Sequence, residues 1–120
     1  MLNFQKAILT WAKTNFGAIA YKQEERVLRF LEEAVELCQA LDLPKEKITH
    51  LVDVVYNKEK GPVAKELTDV QLNLYALAEH LKYPLQKESE EAFLYCLSRD
   101  QTFWRERQEK KYAAGTSTRP

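Results

Sequence analysis

Along almost the whole chain apolar residues recur at steps of three and four, interrupted by only three glycines and four prolines. That period is the signature of amphipathic helices, and no stretch shows the two-residue alternation with turn punctuation that marks a hairpin. The breaks fall between the periodic segments: Gly17 after the first, Pro44 after the second, Gly61-Pro62 before the fourth and Pro84 after it. Phe4, Ala7, Ile8 and Trp11 define a first helix. Val27, Leu28, Phe30, Leu31, Ala34, Leu37, Cys38 and Leu41 define a second, and Ile48, Leu51, Val52 and Val55 a shorter third. Val63, Leu67, Val70, Leu74, Leu77 and Leu81 define a fourth, and a fifth is predicted from about Lys87 to Tyr112. The expectation is an all-α chain, a four- to five-helix bundle. One domain spans 1–112, the last helix extends from the body, and a flexible tail covers 113–120.

The 120 residues are enough for one domain with one core, and 45% of them are apolar. Lys and Arg number 18, as do Asp and Glu, so the formal charge is zero. A nucleic-acid binder normally carries a basic excess, so the balance argues against nucleic acid as a partner. No apolar run approaches the roughly 20 residues that span a bilayer. The opening MLNFQKAILTWAKTNFG reads as a helix rather than a signal peptide. Cys38 and Cys96 lie in helical stretches without a CxxC pair, and read as buried thiols in a reducing cytoplasm.

The charges are unevenly placed. Residues three apart on a helix lie about 60° from each other. Glu33 and Glu36 therefore share one face of the second helix with Glu32 on the flank, and Glu66 and Asp69 share one face of the fourth. Both pairs border the apolar stripe instead of the opposite, solvated face. If the two helices are antiparallel neighbours, four carboxylates converge, and such a cluster persists only if protonated or neutralised by cations. Hard oxygen ligands in that number suit Mg²⁺ or Mn²⁺. A di-iron site would need Glu-x-x-His pairs, but His50 and His80 follow Lys47 and Leu77 at that spacing. The bland alternative is that ExxE pairs are common on solvated helix faces.

The run Leu31-Glu32-Glu33-Ala34-Val35-Glu36-Leu37, followed by Lys65-Glu66-Leu67-Thr68-Asp69-Val70, resembles the EExxE…ExxD signature of the all-α nucleoside triphosphate pyrophosphohydrolases. That superfamily includes MazG, the dimeric dUTPases and the helical dCTP pyrophosphatases. The surrounding stretch looks most like its small phage- and plasmid-type members, and the similarity covers roughly Trp11 to Leu81. What the resemblance implies is a MazG-like bundle with Mg²⁺-dependent cleavage of a nucleoside triphosphate to monophosphate and pyrophosphate. It further implies that Glu33, Glu36, Glu66 and Asp69 ligate metal and that sites are completed across a homodimer or homotetramer. Glu32 matches the first Glu of the motif. Between Glu32 and Glu36 the choice of the carboxylate that accepts the water's proton stays open.

Other positions are candidates for substrate contact. Arg29 is either a phosphate ligand or the partner of Glu33 in an intrahelical ion pair, and Arg26 lies one turn before it. Lys65 could reach a triphosphate, and Arg105, Lys110 and Lys111 could close over the site. Asn73 lies about 20° from Glu66 and could read a base edge. Trp11 could stack on a base or simply pack in the core. The alternative to a cytoplasmic enzyme that cleans the nucleotide pool is a non-catalytic helical dimer with a vestigial acidic site.

Overall fold

The computed structural model describes residues 3–117, and these are helical with no strand among them. Six α-helices run in order: α1 (Phe4–Phe16), α2 (Gln23–Ala40), α3 (Lys45–Tyr56), α4 (Val63–His80), α5 (Leu85–Leu97) and α6 (Gln101–Ala113). A 3₁₀ segment, Gly17–Tyr21, links α1 to α2. Among the described residues no helix is long and apolar enough to cross a membrane.

Local chemistry sets these boundaries. The Asn3 side chain accepts from the Lys6 amide at 3.0 Å and so caps α1. Gly17 ends the helix at φ +76°, in the region that disfavours side chains, while its N–H reaches the Lys13 carbonyl. Pro44 and Pro62 stand immediately before α3 and α4 in extended conformation, where a missing amide costs nothing to the helix.

The single long helix expected from Lys87 to Tyr112 is two helices. Ser98 turns its hydroxyl back onto the Tyr95 carbonyl at 2.6 Å, competing with continuation of the backbone ladder. Asp100 then starts α6 afresh, accepting from the Phe103 amide at 2.9 Å.

The helices form two compact units. One contains the chain up to Asp42 together with the chain from Phe93 onward, and the other contains Leu43–Ala92. In the first, α1 packs on the 3₁₀ segment and on α6, and α2 packs on the 3₁₀ segment. Its core is small: Ala12, Ile19, Ala20 and Trp104 are the buried apolar residues. Around Trp104 the rings meet edge to face, with Trp11 at 4.9 Å, Phe103 at 4.8 Å and Phe16 at 6.1 Å between centroids. Edge-to-face pairs of this kind add about 0.5–1.5 kcal/mol each beyond the area they bury.

In the second unit only Ala78 is buried among the described residues. Several positions that the helical period assigned to a core stay open to solvent in the isolated chain: Leu51 is 59% exposed, Leu67 67% and Val63 75%. The same holds on α2, where Val27, Phe30 and Leu31 are each about half exposed. Cys38 and Cys96 are free and half-buried instead of fully enclosed. Burial pushes the Cys96 thiol above its ordinary pKa.

Candidate functional site

On α2, helical spacing brings the carboxylates of Glu32, Glu33 and Glu36 together, with an oxygen of each within 4.8 Å of the others. They are not equivalent. Glu33 and Glu36 are exposed and take no ion pair or hydrogen bond among the described residues. Glu32 is half-buried, and its Oε1 receives the Lys111 ammonium at 2.6 Å and Arg29 Nη1 at 3.2 Å. The hydrogen bond from Lys111 is the main reason that the Glu32 carboxyl is held below its usual pKa, with the charges of Lys111, Arg29 and Arg107 acting in the same direction. Lys111 thus reaches Glu32 from α6 of the same chain.

Arg29 pairs with Glu32 and Glu25, not with Glu33. Glu25 is 1% exposed, a buried carboxylate that the sequence reading did not single out. Arg29 Nε lies 2.8 Å from Glu25 Oε1, a charge contact out of line for a hydrogen bond, so both atoms are buried without a hydrogen-bond partner. The hydroxyl of Ser117 donates to Glu25 Oε2, and Arg29 Nη2 donates to the Thr116 carbonyl. The segment after α6 is thus laid against α2. Of the expected tail 113–120, Ala113 is the last residue of α6, Thr116 and Ser117 make the contacts just given, and 118–120 lie outside the described residues.

On α4 the other acidic pair has its own cation. Lys65 Nζ is 2.7 Å from Asp69 Oδ2 and 3.7 Å from Glu66 Oε1. The hydrogen bond and charge of Asp69, then the charge of Glu66, raise the Lys65 pKa. Gly61 lies beneath Glu66, where a Cβ would stand 2.6 Å from Glu66 Oε1. Asn73 is exposed and gives its amide to the Asp69 carbonyl at 2.9 Å, a bond within its own helix. Trp11 belongs to the aromatic cluster of the first unit and lines a cavity of about 780 Å³ with Lys6, Thr10, Asn15, Phe93 and Arg99.

The donor chemistry fits a hard divalent cation. Glu33 and Glu36 offer carboxylate oxygens unoccupied by protein donors, and Glu32 keeps Oε2 clear of its ion pairs. The ammonium of Lys65 between Glu66 and Asp69 is itself a cation at a doubly acidic position. No family model, curated protein or solved structure matches this chain.

Proposed function

We propose that this chain is a Mg²⁺-dependent nucleoside triphosphate pyrophosphohydrolase, MazG-like in architecture, that cleaves the α–β phosphoanhydride of a nucleotide and serves nucleotide-pool cleaning in the cytoplasm. The observation that carries the reading is the carboxylate trio of α2, two of whose members are left without protein partners. The Glu66-x-x-Asp69 pair on α4, at the spacing of Glu33 and Glu36, supports it. In this reading Glu33 and Glu36 on α2, and Glu66 and Asp69 on α4, are metal ligands, with Mn²⁺ as a substitute for Mg²⁺. Bound there, the metal offsets phosphate charge and acidifies a water. Glu32 or Glu36 takes the proton of the attacking water, and the Lys111–Glu32 pair biases that role toward Glu36. Arg29 and Lys65 bind phosphate, while Asn73 and Trp11 contact the base after leaving their present partners.

The half-exposed apolar residues of α2 in one unit, and of α3 and α4 in the other, favour a homodimer or homotetramer, since exposed apolar surface is a common mark of association. Light scattering at micromolar concentration is expected to return a multiple of 14.0 kDa. A panel of canonical and modified (d)NTPs with Mg²⁺, scored for monophosphate and pyrophosphate, tests the activity. Turnover of none, or turnover unchanged in Glu33→Gln and Glu66→Gln, refutes it.

The second reading, a non-catalytic helical dimer that binds nucleotide or protein, draws on Lys65. An acidic pair already half neutralised by its own lysine has less need of a metal. Metal-dependent binding of a nucleoside triphosphate without its hydrolysis would select that reading.

A further inference from the structure

The segment after α6 does more than end a helix. Gly115 takes φ +72°, and its N–H and that of Thr116 return to the carbonyls of Tyr112 at 3.1 Å and Lys111 at 2.9 Å. This is the left-handed helix stop, in which the chain reverses over the last turn. The reversal brings Thr116 and Ser117 onto α2. Gln108 Nε2 donates to Ser117 Oγ at 2.8 Å, Ser117 donates to the buried Glu25, and Arg29 Nη2 donates to the Thr116 carbonyl.

Glu25 and Glu32 pair with cations beneath that strap, Glu33 and Glu36 stand beside Glu32, and Arg26, Arg29, Arg107 and Lys111 are the cations that act on Glu25, Glu32 or each other. Arg26 Nε is buried without a hydrogen-bond partner. That orphaned donor lies close enough to Arg29 for the two charges to act on each other. The guanidinium of Arg29 spends its outward donor on a neutral peptide carbonyl, a weaker partner than an ionised oxygen by about twofold.

We infer that Gly115–Ser117 is a displaceable strap whose Thr116 carbonyl occupies, on Arg29, the position that a phosphate oxygen of a polyphosphate ligand takes, with Lys111 as the second cation of that site. The inference rests on the reading that phosphate groups dock beside α2, and it adds regulation to it. In the closed state Ser117 and Glu25 bury one another's polar atoms. In the open state Glu25 is hydrated, Arg29 turns its free donor to phosphate, and Lys111 exchanges Glu32 for a second oxygen, which returns Glu32 to the acidic trio. Strap and ligand exclude each other, so loosening the strap must tighten ligand binding by the inverse of the open fraction.

The test is calorimetric titration of the full chain with inorganic pyrophosphate in the presence of a chelator, so that neither metal nor turnover enters. Gly115→Pro fixes φ near −65° and forbids the reversal, whereas Ser117→Ala removes only the hydroxyl bond to Glu25. Both are expected to bind pyrophosphate more tightly than wild type, by roughly fivefold for an open fraction of about one in five. Adding Arg29→Gln is expected to abolish that gain. Affinity unchanged or weakened in both strap variants, a gain that survives Arg29→Gln, or no binding in any variant would overturn the inference. Nucleotide turnover with an unaltered pyrophosphate affinity leaves the enzyme reading standing and removes the strap. Strap-dependent binding without turnover does the reverse.

Discussion

Glu25→Gln isolates the least expected feature of the structure, a carboxylate 1% exposed on an otherwise solvated helix. Removing one member of a buried ion pair costs about 3–5 kcal/mol when the remaining charge is left without a partner. Here the remainder is not abandoned. Arg29 keeps Glu32 at 3.2 Å, and its side chain is 17% exposed. Gln also retains an acceptor for the Ser117 hydroxyl, though a neutral one. Against that, Arg26 loses the anion that offsets its desolvation, since burial lowers its pKa and Glu25 is the charge that raises it. Together these bring the expected loss to about 1.5–3 kcal/mol.

Urea unfolding followed by helical circular dichroism measures it. With a slope of about 2 kcal/mol per molar urea, the midpoint should fall by roughly 1 M. The exposed neighbour Glu24 is the control, because Glu24→Gln leaves the same helix and net charge change without touching the pair, and should stay within about 0.5 kcal/mol of wild type. Ser117→Ala on its own and combined with Glu25→Gln should be non-additive, since both act on the same hydrogen bond, which Gln weakens and Ala removes. If Glu25→Gln unfolds at the wild-type midpoint, Glu25 is hydrated in solution and the packing of Thr116 and Ser117 on α2 is refuted with it.

Two further outcomes follow from the acidic residues. Lys111 holds the Glu32 carboxyl below its ordinary pKa, so the pair's stabilisation is present at neutral pH and is lost as pH falls below the ordinary glutamate range and through that lowered pKa. The difference in Tm between wild type and Glu32→Gln should therefore be full from pH 7 to 5 and shrink toward pH 3, and a difference independent of pH would refute the pairing. Gly61→Ala places its Cβ 2.6 Å from Glu66 Oε1 and forces that flexible carboxylate aside. Because the backbone there is not left-handed, stability should hold or rise by about 0.4–1 kcal/mol, while the Mg²⁺-dependent hydrolysis proposed above should fall by roughly tenfold or more. Full activity in Gly61→Ala would dissociate Glu66 from the reaction.

The legible features of this chain are those decided within one or two helical turns. Pro44 and Pro62 announce α3 and α4 because a proline is tolerated at a helix start, and the meeting of Glu32, Glu33 and Glu36 follows from their spacing alone. The division between α5 and α6 was also local, written in Ser98 and Asp100, but it was hidden by apolar residues on both sides that continue the helical period. Residues such as Leu67 and Val63 show the limit of the period itself. It identifies the apolar face of a helix without saying whether that face is covered by the same chain.

What no local pattern could reveal is the pairing across long sequence separations. Lys111 meets Glu32 over 79 residues, and Ser117 meets Glu25 over 92. Read along α2, Glu25 is one of two first-turn acids and looks like a dipole-complementing surface residue. Its burial depends on whether Gly115, far away in sequence, adopts the left-handed conformation that sends the chain back. The consequence is chemical as well as structural. Lys111 and Arg29 together take up Glu32, the first carboxylate of the motif, and leave Glu33 and Glu36 without protein partners. Glu32, which spacing alone sets on the flank of Glu33 and Glu36, is thus further set apart from them by the partners that a distant segment supplies.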